Sequence, residues 1–320
     1  MAFILRTARA SFVFACLCGL LPAALGTRAQ AQAWGSAGDA SASGAIVPAR
    51  MHNPAYDFDQ DGFNDLLWHN TSTGQTLVWN MRDQTILAAG SPFAAVANTA
   101  WTVAAVGDVS GDGLPDLLWQ NRQTGQVLFW LMGGTGGTQV LSYGNPFATV
   151  SDTNWRIVSL ADFNGDGHPD ILWENNATGQ LLVWTMNGTS VLNYGTPFAA
   201  VTDTHWQVAG VADFDGDGHP DLLWENSVTG QVLVWNLGGT TGTSVLSYGS
   251  AFATVPNTAW HIVGTGDLDG DSHPDLTWQN TQTGDVLRWR MGGTGGQQVL
   301  NYGSPFATVS DTRWRIVGVH

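Results

Sequence analysis

Aspartates at alternate positions crowd their carboxylates around one tight loop, and this sequence does so five times. The shared pattern is D-x-[DSN]-x-D-[GS]-x-x-D, with oxygen-bearing side chains at positions 1, 3, 5 and 9. The copies are Asp57, Asp59, Asp61, Asp65; Asp108, Ser110, Asp112, Asp116; Asp162, Asn164, Asp166, Asp170; Asp213, Asp215, Asp217, Asp221; and Asp267, Asp269, Asp271, Asp275. Together they hold 18 of the 26 acidic residues. Carboxylates this close repel unless a cation sits among them. Alternating oxygen ligands with a Gly at the sixth place suit a hard cation such as Ca²⁺. Position 7 (Phe63, Leu114, His168, His219, His273) is expected to add a backbone carbonyl. The spacing thus predicts up to five Ca²⁺ ions, one per loop.

An EF-hand would need a bidentate Glu at position 12 and flanking helices. Position 12 here is Trp68, Trp119, Trp173, Trp224 or Trp278, and the loop closes instead at position 9, the first residue of a strand. The copies are unequal. Ser110 and Asn164 remove a carboxylate from two loops, and Ser272 replaces Gly where a positive φ is expected, at a cost of about 1 kcal/mol. The tightest sites are expected at Asp57 and Asp213. The side chains of His168, His219 and His273 are expected to point away from the ion.

The loops need a frame, and the repeat supplies one. The first aspartates fall at 57, 108, 162, 213 and 267, so the period alternates between 51 and 54 residues. A period of that length filled with strand-like runs points to a propeller. One unit reads as four strands: Trp155–Ala161 into the loop, Asp170–Asn175 out of it, Gln180–Met186 after a Thr178-Gly179 turn, and Ser190–Gly195. The length variation falls in the hairpin between the third and fourth strands, where insertions cost little.

Phase decides how the ring closes. A Trp-led strand precedes each later loop (Trp101, Trp155, Trp206, Trp260), but the stretch before Asp57 does not read as a strand, and the run from Trp314 lacks a following loop. The expected fold is therefore all-β: a five-bladed β-propeller of four-stranded blades, with the C-terminal strand pairing into the first blade. An open fragment of a larger ring is the alternative.

Upstream, Arg6 and Arg9, an apolar Ser11–Gly26 and Ala31-Gln32-Ala33 read as a signal peptide over 1–33, followed by a flexible Ala/Gly/Ser-rich lead-in over 34–56 and the propeller over 57–320. Both cysteines, Cys16 and Cys18, lie in the export segment, so thiol catalysis and cysteine-based zinc sites are not expected in the remainder. Past residue 33 there are 8 basic residues against 26 acidic ones, and no lysine. That balance argues against a nucleic-acid partner and against anionic membranes. No second long apolar run predicts membrane insertion of the mature chain. The expected location is secreted, cell-surface or periplasmic.

Fifteen of the 16 Trp fall in three registers, the third being Trp79, Trp130, Trp184, Trp235 and Trp289. They read either as sugar-stacking platforms or as core between blades. Core is expected for the second- and third-strand sets, and both readings stay open for the Trp101 set. Phe93, Phe147, Phe198, Phe252 and Phe306 in the inter-blade links read as packing. No Ser-His-Asp or Cys-His set stands outside the repeats, and the Gly-rich hairpins have no following helix and no lysine for a phosphate. Glu174 and Glu225 recur where other repeats carry His69, Gln120 and Gln279, which reads as a solvated or hydrogen-bonded role. An enzyme is not expected.

The loops and their strand frame, as in Asp213-Phe-Asp-Gly-Asp-Gly-His-Pro-Asp221, resemble the FG-GAP/VCBS repeats of integrin-α-like β-propellers, which occur also in fungal lectins and exported bacterial proteins. The name-giving segment is looser, with Tyr143-Gly-Asn-Pro-Phe147 in its place. The resemblance implies one calcium per blade, in the first inter-strand loop. Integrin propellers have seven blades rather than five, so integrin-type adhesion is not carried over. The functional expectation is an exported calcium-binding module recognising an extracellular glycan or a surface protein. The alternatives are a structural surface or matrix protein, and a polysaccharide-active enzyme.

Overall fold

The computed structural model describes residues 56–318 apart from 83–84, 135–136, 146, 250–251, 253, 294–295 and 305. The expected export segment and the expected lead-in through residue 55 lie outside the described residues. Tyr56 is buried, and its carbonyl accepts the Asp65 N–H at 2.8 Å.

The described residues form five four-stranded antiparallel sheets, the blades of a β-propeller. Blade 1 contains β1 (Leu66–Asn70), β2 (Thr76–Arg82) and β3 (Thr85–Gly90). Blade 2 is β4 (Trp101–Gly107), β5 (Asp116–Asn121), β6 (Val127–Gly133) and β7 (Gln139–Gly144). Blade 3 is β8 (Trp155–Ala161), β9 (Asp170–Asn175), β10 (Leu181–Asn187) and β11 (Ser190–Gly195). Blade 4 is β12 (Trp206–Ala212), β13 (Asp221–Asn226), β14 (Val232–Gly238) and β15 (Ser244–Gly249). Blade 5 is β16 (Trp260–Gly266), β17 (Asp275–Asn280), β18 (Val286–Gly292) and β19 (Gln298–Gly303). Blade 1 takes its first strand from the far end of the chain: β20 (Trp314–Ile316) pairs antiparallel with β1, in the register Trp68↔Ile316, His69↔Arg315, Asn70↔Trp314.

Burial grades outward along each blade. The second strands are buried at every residue, because sheet neighbours flank them on both sides and other blades cover both faces. The third strands alternate buried and half-buried, and the fourth are exposed almost throughout. The second-strand tryptophans are about 1% exposed, and each stacks diagonally on the third-strand Trp of its own blade at 4.8–5.1 Å. The link phenylalanines wedge beside the following blade, with Phe147 4.8 Å from Trp184 and Phe306 5.7 Å from Trp79. The core reading thus holds for the second-strand set; the third- and first-strand sets are half-buried and pack against the same clusters.

In blades 2 to 5 the residue after the second-strand Trp ties its blade to the next. Gln120 Nε2 donates to the Trp155 carbonyl at 2.8 Å and Gln120 Oε1 accepts from the Ile157 N–H at 3.1 Å. Gln279 repeats this clip on Trp314 and Ile316, across the closing seam. Glu174 and Glu225 retain only the accepting half, from Val208 and Ile262, and each recruits a cationic partner in exchange, Arg156 and His261. The same seam carries a break in the repeat that sequence reading passed over: Arg288 is 2% exposed where the other blades place Val or Phe, with its guanidinium 5.1 Å over the Phe306 ring.

Candidate metal centre

Each aspartate loop lies at the blade end where the first strand stops and the second begins. Position 1 organises the turn. In the third loop Asp162 Oδ1 accepts from the Gly165 and Asp166 N–H groups at 2.7 and 3.1 Å, and Oδ2 accepts from Gly167 at 2.7 Å. Asp108, Asp213 and Asp267 repeat all three bonds. Position 5 accepts the N–H of position 7, as Asp217 does from His219 at 2.9 Å. The chain can point so many amides inward only by turning left-handed twice. Position 6 has φ of 86–95° at its four glycines and 71° at Ser272, as expected there. Position 4 is left-handed too, which the motif did not reveal: Gly in four loops and Gln60, at φ 60°, in the first. Ser272→Gly is expected to raise stability by up to about 1 kcal/mol, read as the midpoint of a denaturant titration.

Position 9 acts as the anchor. Asp65, Asp116, Asp170, Asp221 and Asp275 are all at most 1% exposed. In every loop one carboxylate oxygen accepts the position 2 N–H (Phe58, Val109, Phe163, Phe214 or Leu268) at 2.8–3.1 Å. The other oxygen accepts the N–H of Met81, Met132, Met186, Leu237 or Met291, on the third strand, at 2.7–2.8 Å. One carboxylate therefore pins the loop's entry, its exit and the neighbouring strand together. Burial, only partly offset by these bonds, raises the pKa to about 8 for Asp65, about 7 for Asp221 and Asp275, and about 6 for Asp116 and Asp170. Burial and then the adjacent position 5 carboxylate also push up Asp59, Asp215 and Asp269. These groups resist ionisation as they stand, and a divalent cation would reverse the balance.

Carboxylate oxygens converge within 4.8 Å of one another in three of the loops: Asp57, Asp59 and Asp61; Asp213, Asp215 and Asp221; and Asp267, Asp269 and Asp271. In the other two, Ser110 and Asn164 supply a hydroxyl and an amide, and Asn164 Nδ2 donates to Asp166 at 3.0 Å. All five loops share one backbone cradle, so the unequal ligand sets predict graded affinity. Two loops bring in a cation from the third strand: Arg82 bonds Asp61 at 2.9 Å and Arg290 lies 3.5 Å from Asp269. The imidazoles of His219 and His273 lie beside the hairpin glycines Gly242 and Gly296, turned to a neighbouring turn.

The outer strands hold a group that the sequence reading left out. Tyr143, Tyr194, Tyr248 and Tyr302 are 70–77% exposed, each directly across the ladder from a third-strand Trp; blade 1 has Ala89 there. Four of the five tyrosines in one register was the signal that could have found them.

The family model for the FG-GAP-like repeat matches residues 57–119, 108–173 and 162–224, each span starting on the first aspartate of a loop. These spans cover just over half of the sequence, and the chain belongs to the FG-GAP-like repeat family. Among solved structures it is similar to an auxiliary nutrient binding protein from Bacteroides thetaiotaomicron VPI-5482, with a TM-score of 0.40 and 9% identity over 73% of this chain and 56% of that one. It is also similar to a protein from Lactobacillus plantarum, with a TM-score of 0.37 and 13% identity over 73% of this chain and 65% of that one. The chain thus spans less than two thirds of either relative. A search of curated protein sequences finds no match. Among the described residues no helix is long and apolar enough to cross a membrane.

Proposed function

We propose that the chain is an exported, calcium-stabilised binding module that holds extracellular carbohydrate through repeated weak sites on its outer strands. The observation that carries this reading is the fourfold Tyr–Trp pair: an exposed phenol ring at one register of blades 2 to 5, opposite a half-buried indole in the ladder. Rigid exposed aromatics present an apolar face and a polar rim, which suits the alternating CH and OH surfaces of a sugar ring. Four equivalent weak sites would gain retention on a polymer by avidity. The acidic loops suit Ca²⁺ at extracellular concentrations, and the N-terminal export signal in the sequence agrees with that compartment. We propose no catalytic role.

A glycan array probed with the calcium-loaded chain tests this reading. Retention is expected on at least one polysaccharide class, and replacing Tyr143, Tyr194, Tyr248 and Tyr302 together by Ala is expected to lower it by more than tenfold. Undiminished retention by the fourfold variant would remove the tyrosines from the account. A second reading has its own observation: Leu141, Leu192, Leu246 and Leu300 are 56–61% exposed on the same outer strands. Exposed apolar edge strands favour lateral assembly, so concentration-dependent polymerisation with no glycan bound would favour a matrix protein.

A further inference from the structure

We infer that the seam between blades 1 and 2 holds one buried water molecule, bound by His69, Thr76 and Trp119 in place of the side-chain clip that joins the other blades. This hydration site lies inside the ring and stands independently of the tyrosines on the outer strands.

Two polar residues break the repeat at this seam. Position 69 is His where the later blades carry Gln120, Glu174, Glu225 and Gln279, and position 76 is Thr where they carry Val127, Leu181, Val232 and Val286. His69 and Thr76 stand directly opposite each other in the β1–β2 ladder, so both side chains leave the sheet on one face. That face is turned to blade 2. The His69 ring stands at 86° to the Trp119 indole, with centroids 5.7 Å apart. All three residues are 1% exposed.

Each of the three brings a buried polar atom that no described group of the chain satisfies: His69 Nε2, Thr76 Oγ1 and Trp119 Nε1. The second-strand indole N–H is unsatisfied in every blade, but among the described residues only this seam adds a ring nitrogen and a hydroxyl beside it. Elsewhere the residue after the second-strand Trp spends an oxygen on a backbone N–H of the facing first strand, that of Ile157, Val208, Ile262 or Ile316. Val103 is their counterpart in blade 2, paired with Trp119 as Ile157 is with Trp173. Among the described residues no side chain reaches the Val103 N–H. A neutral imidazole cannot present a carbonyl oxygen and an amide N–H from one end, as Gln120 does to Ile157 and Trp155.

Buried polar groups are satisfied as a rule, and an internal water satisfies them where several converge. The donors and acceptors here match what one water offers, two bonds accepted and two donated. The Trp119 indole and the Val103 amide only donate, the unprotonated His69 Nε2 only accepts, and the Thr76 hydroxyl does either. Burial lowers the His69 pKa, which keeps the ring neutral and leaves a nitrogen free to accept. A water between them accepts from Trp119 and Val103 and donates to His69 and Thr76. Leaving these atoms unpaired would cost more than immobilising one water. Blade 1 is thus joined to blade 2 through trapped solvent, where Gln120 and Gln279 bridge their seams directly.

A crystal structure of the calcium-loaded chain, at a resolution that shows ordered solvent, tests the site. Density for one water is expected about 2.7–3.2 Å from His69 Nε2, Thr76 Oγ1 and Trp119 Nε1. A seam packed shut, with no such density, would overturn the inference. Scanning calorimetry of Thr76→Val, which installs the residue of blades 2, 4 and 5, gives a second reading whose sign separates the two cases. With water bound, the variant strips it of a partner, and the melting temperature is expected to fall by about 2–4 °C. In a dry seam the same change removes an unsatisfied hydroxyl, so an unchanged or raised melting temperature counts against the water. His69→Gln is expected to displace the water, its amide bonding Trp101 and Val103 directly. Solvent density unchanged in that variant would deny that the water stands in for the clip.

Discussion

Stripping divalent cations from the protein at pH 8 is expected to unfold it or lower its melting temperature by tens of degrees, and moving the metal-free protein to pH 5 is expected to restore part of the loss. The first half follows from linkage. A site with Kd of about 0.1 mM in about 1 mM Ca²⁺ adds roughly 1.4 kcal/mol, and five add about 7 kcal/mol, comparable to the net stability of a whole domain. The second half follows from the position 9 anchors. Asp65, Asp116, Asp170, Asp221 and Asp275 have folded-state pKa values raised from 3.8 to between about 6 and about 8. A carboxyl whose folded pKa is raised keeps its full contribution below the unfolded value and loses it as pH climbs through the folded value. The metal-free protein should therefore lose stability steadily from about pH 4 to about pH 8, each pKa unit being worth about 1.4 kcal/mol. With Ca²⁺ bound, protons compete with the metal and the trend inverts. Differential scanning calorimetry across that range, on protein freed of metal at pH 8 and then exchanged into each buffer, reads both slopes. Parallel slopes with and without Ca²⁺ would sink the account of these aspartates.

The second large effect is expected from removing the closing strand. Deletion of residues 314–320 takes away Trp314, Ile316 and Val317, all part of the blade 1 and blade 2 core. Burial of three such side chains contributes about 5–8 kcal/mol, and the ladder from β20 to β1 is lost as well. The Gln279 clip also loses both of its partners, Trp314 and Ile316. The sum matches the net stability of a typical domain, roughly 5–15 kcal/mol. What remains would expose β1, a wholly buried strand led by Leu66, Leu67 and Trp68, as an unpaired edge. The truncated chain is expected to aggregate or to pair with further copies. A compact monomer by size-exclusion chromatography with light scattering would contradict a ring held shut at this seam.

Much of this architecture could be read before any coordinates because the repeat exposes it. The interval between loops set the number of blades, and the missing strand before Asp57 together with the surplus one at Trp314 set the phase of closure. The observed strands agree to within a residue, with Leu181–Asn187 where Gln180–Met186 was expected. What stayed hidden was contact between repeats and backbone chemistry inside the loop. Spacing marked Asp170 as an oxygen donor at position 9, but not that its two oxygens hold Phe163 and Met186. The left-handed turn at position 4 was masked by Gln60, which breaks the glycine pattern in the first copy. Gln120 and Gln279 looked like ordinary strand residues, since their partners lie 35 and 37 positions away in another blade. The tyrosines escaped notice because the more abundant tryptophans drew the aromatic argument inward.

The pairing of Trp68 with Ile316 also orders events during synthesis. Roughly 250 residues separate the two halves of blade 1, so its β1–β3 sheet must wait, one edge bare, while four further blades are made. A polypeptide whose first unit stays unfinished until β20 emerges has a delayed commitment to its compact state. Such a delay leaves closure of the ring to the last step of chain synthesis, after every other blade has its four strands.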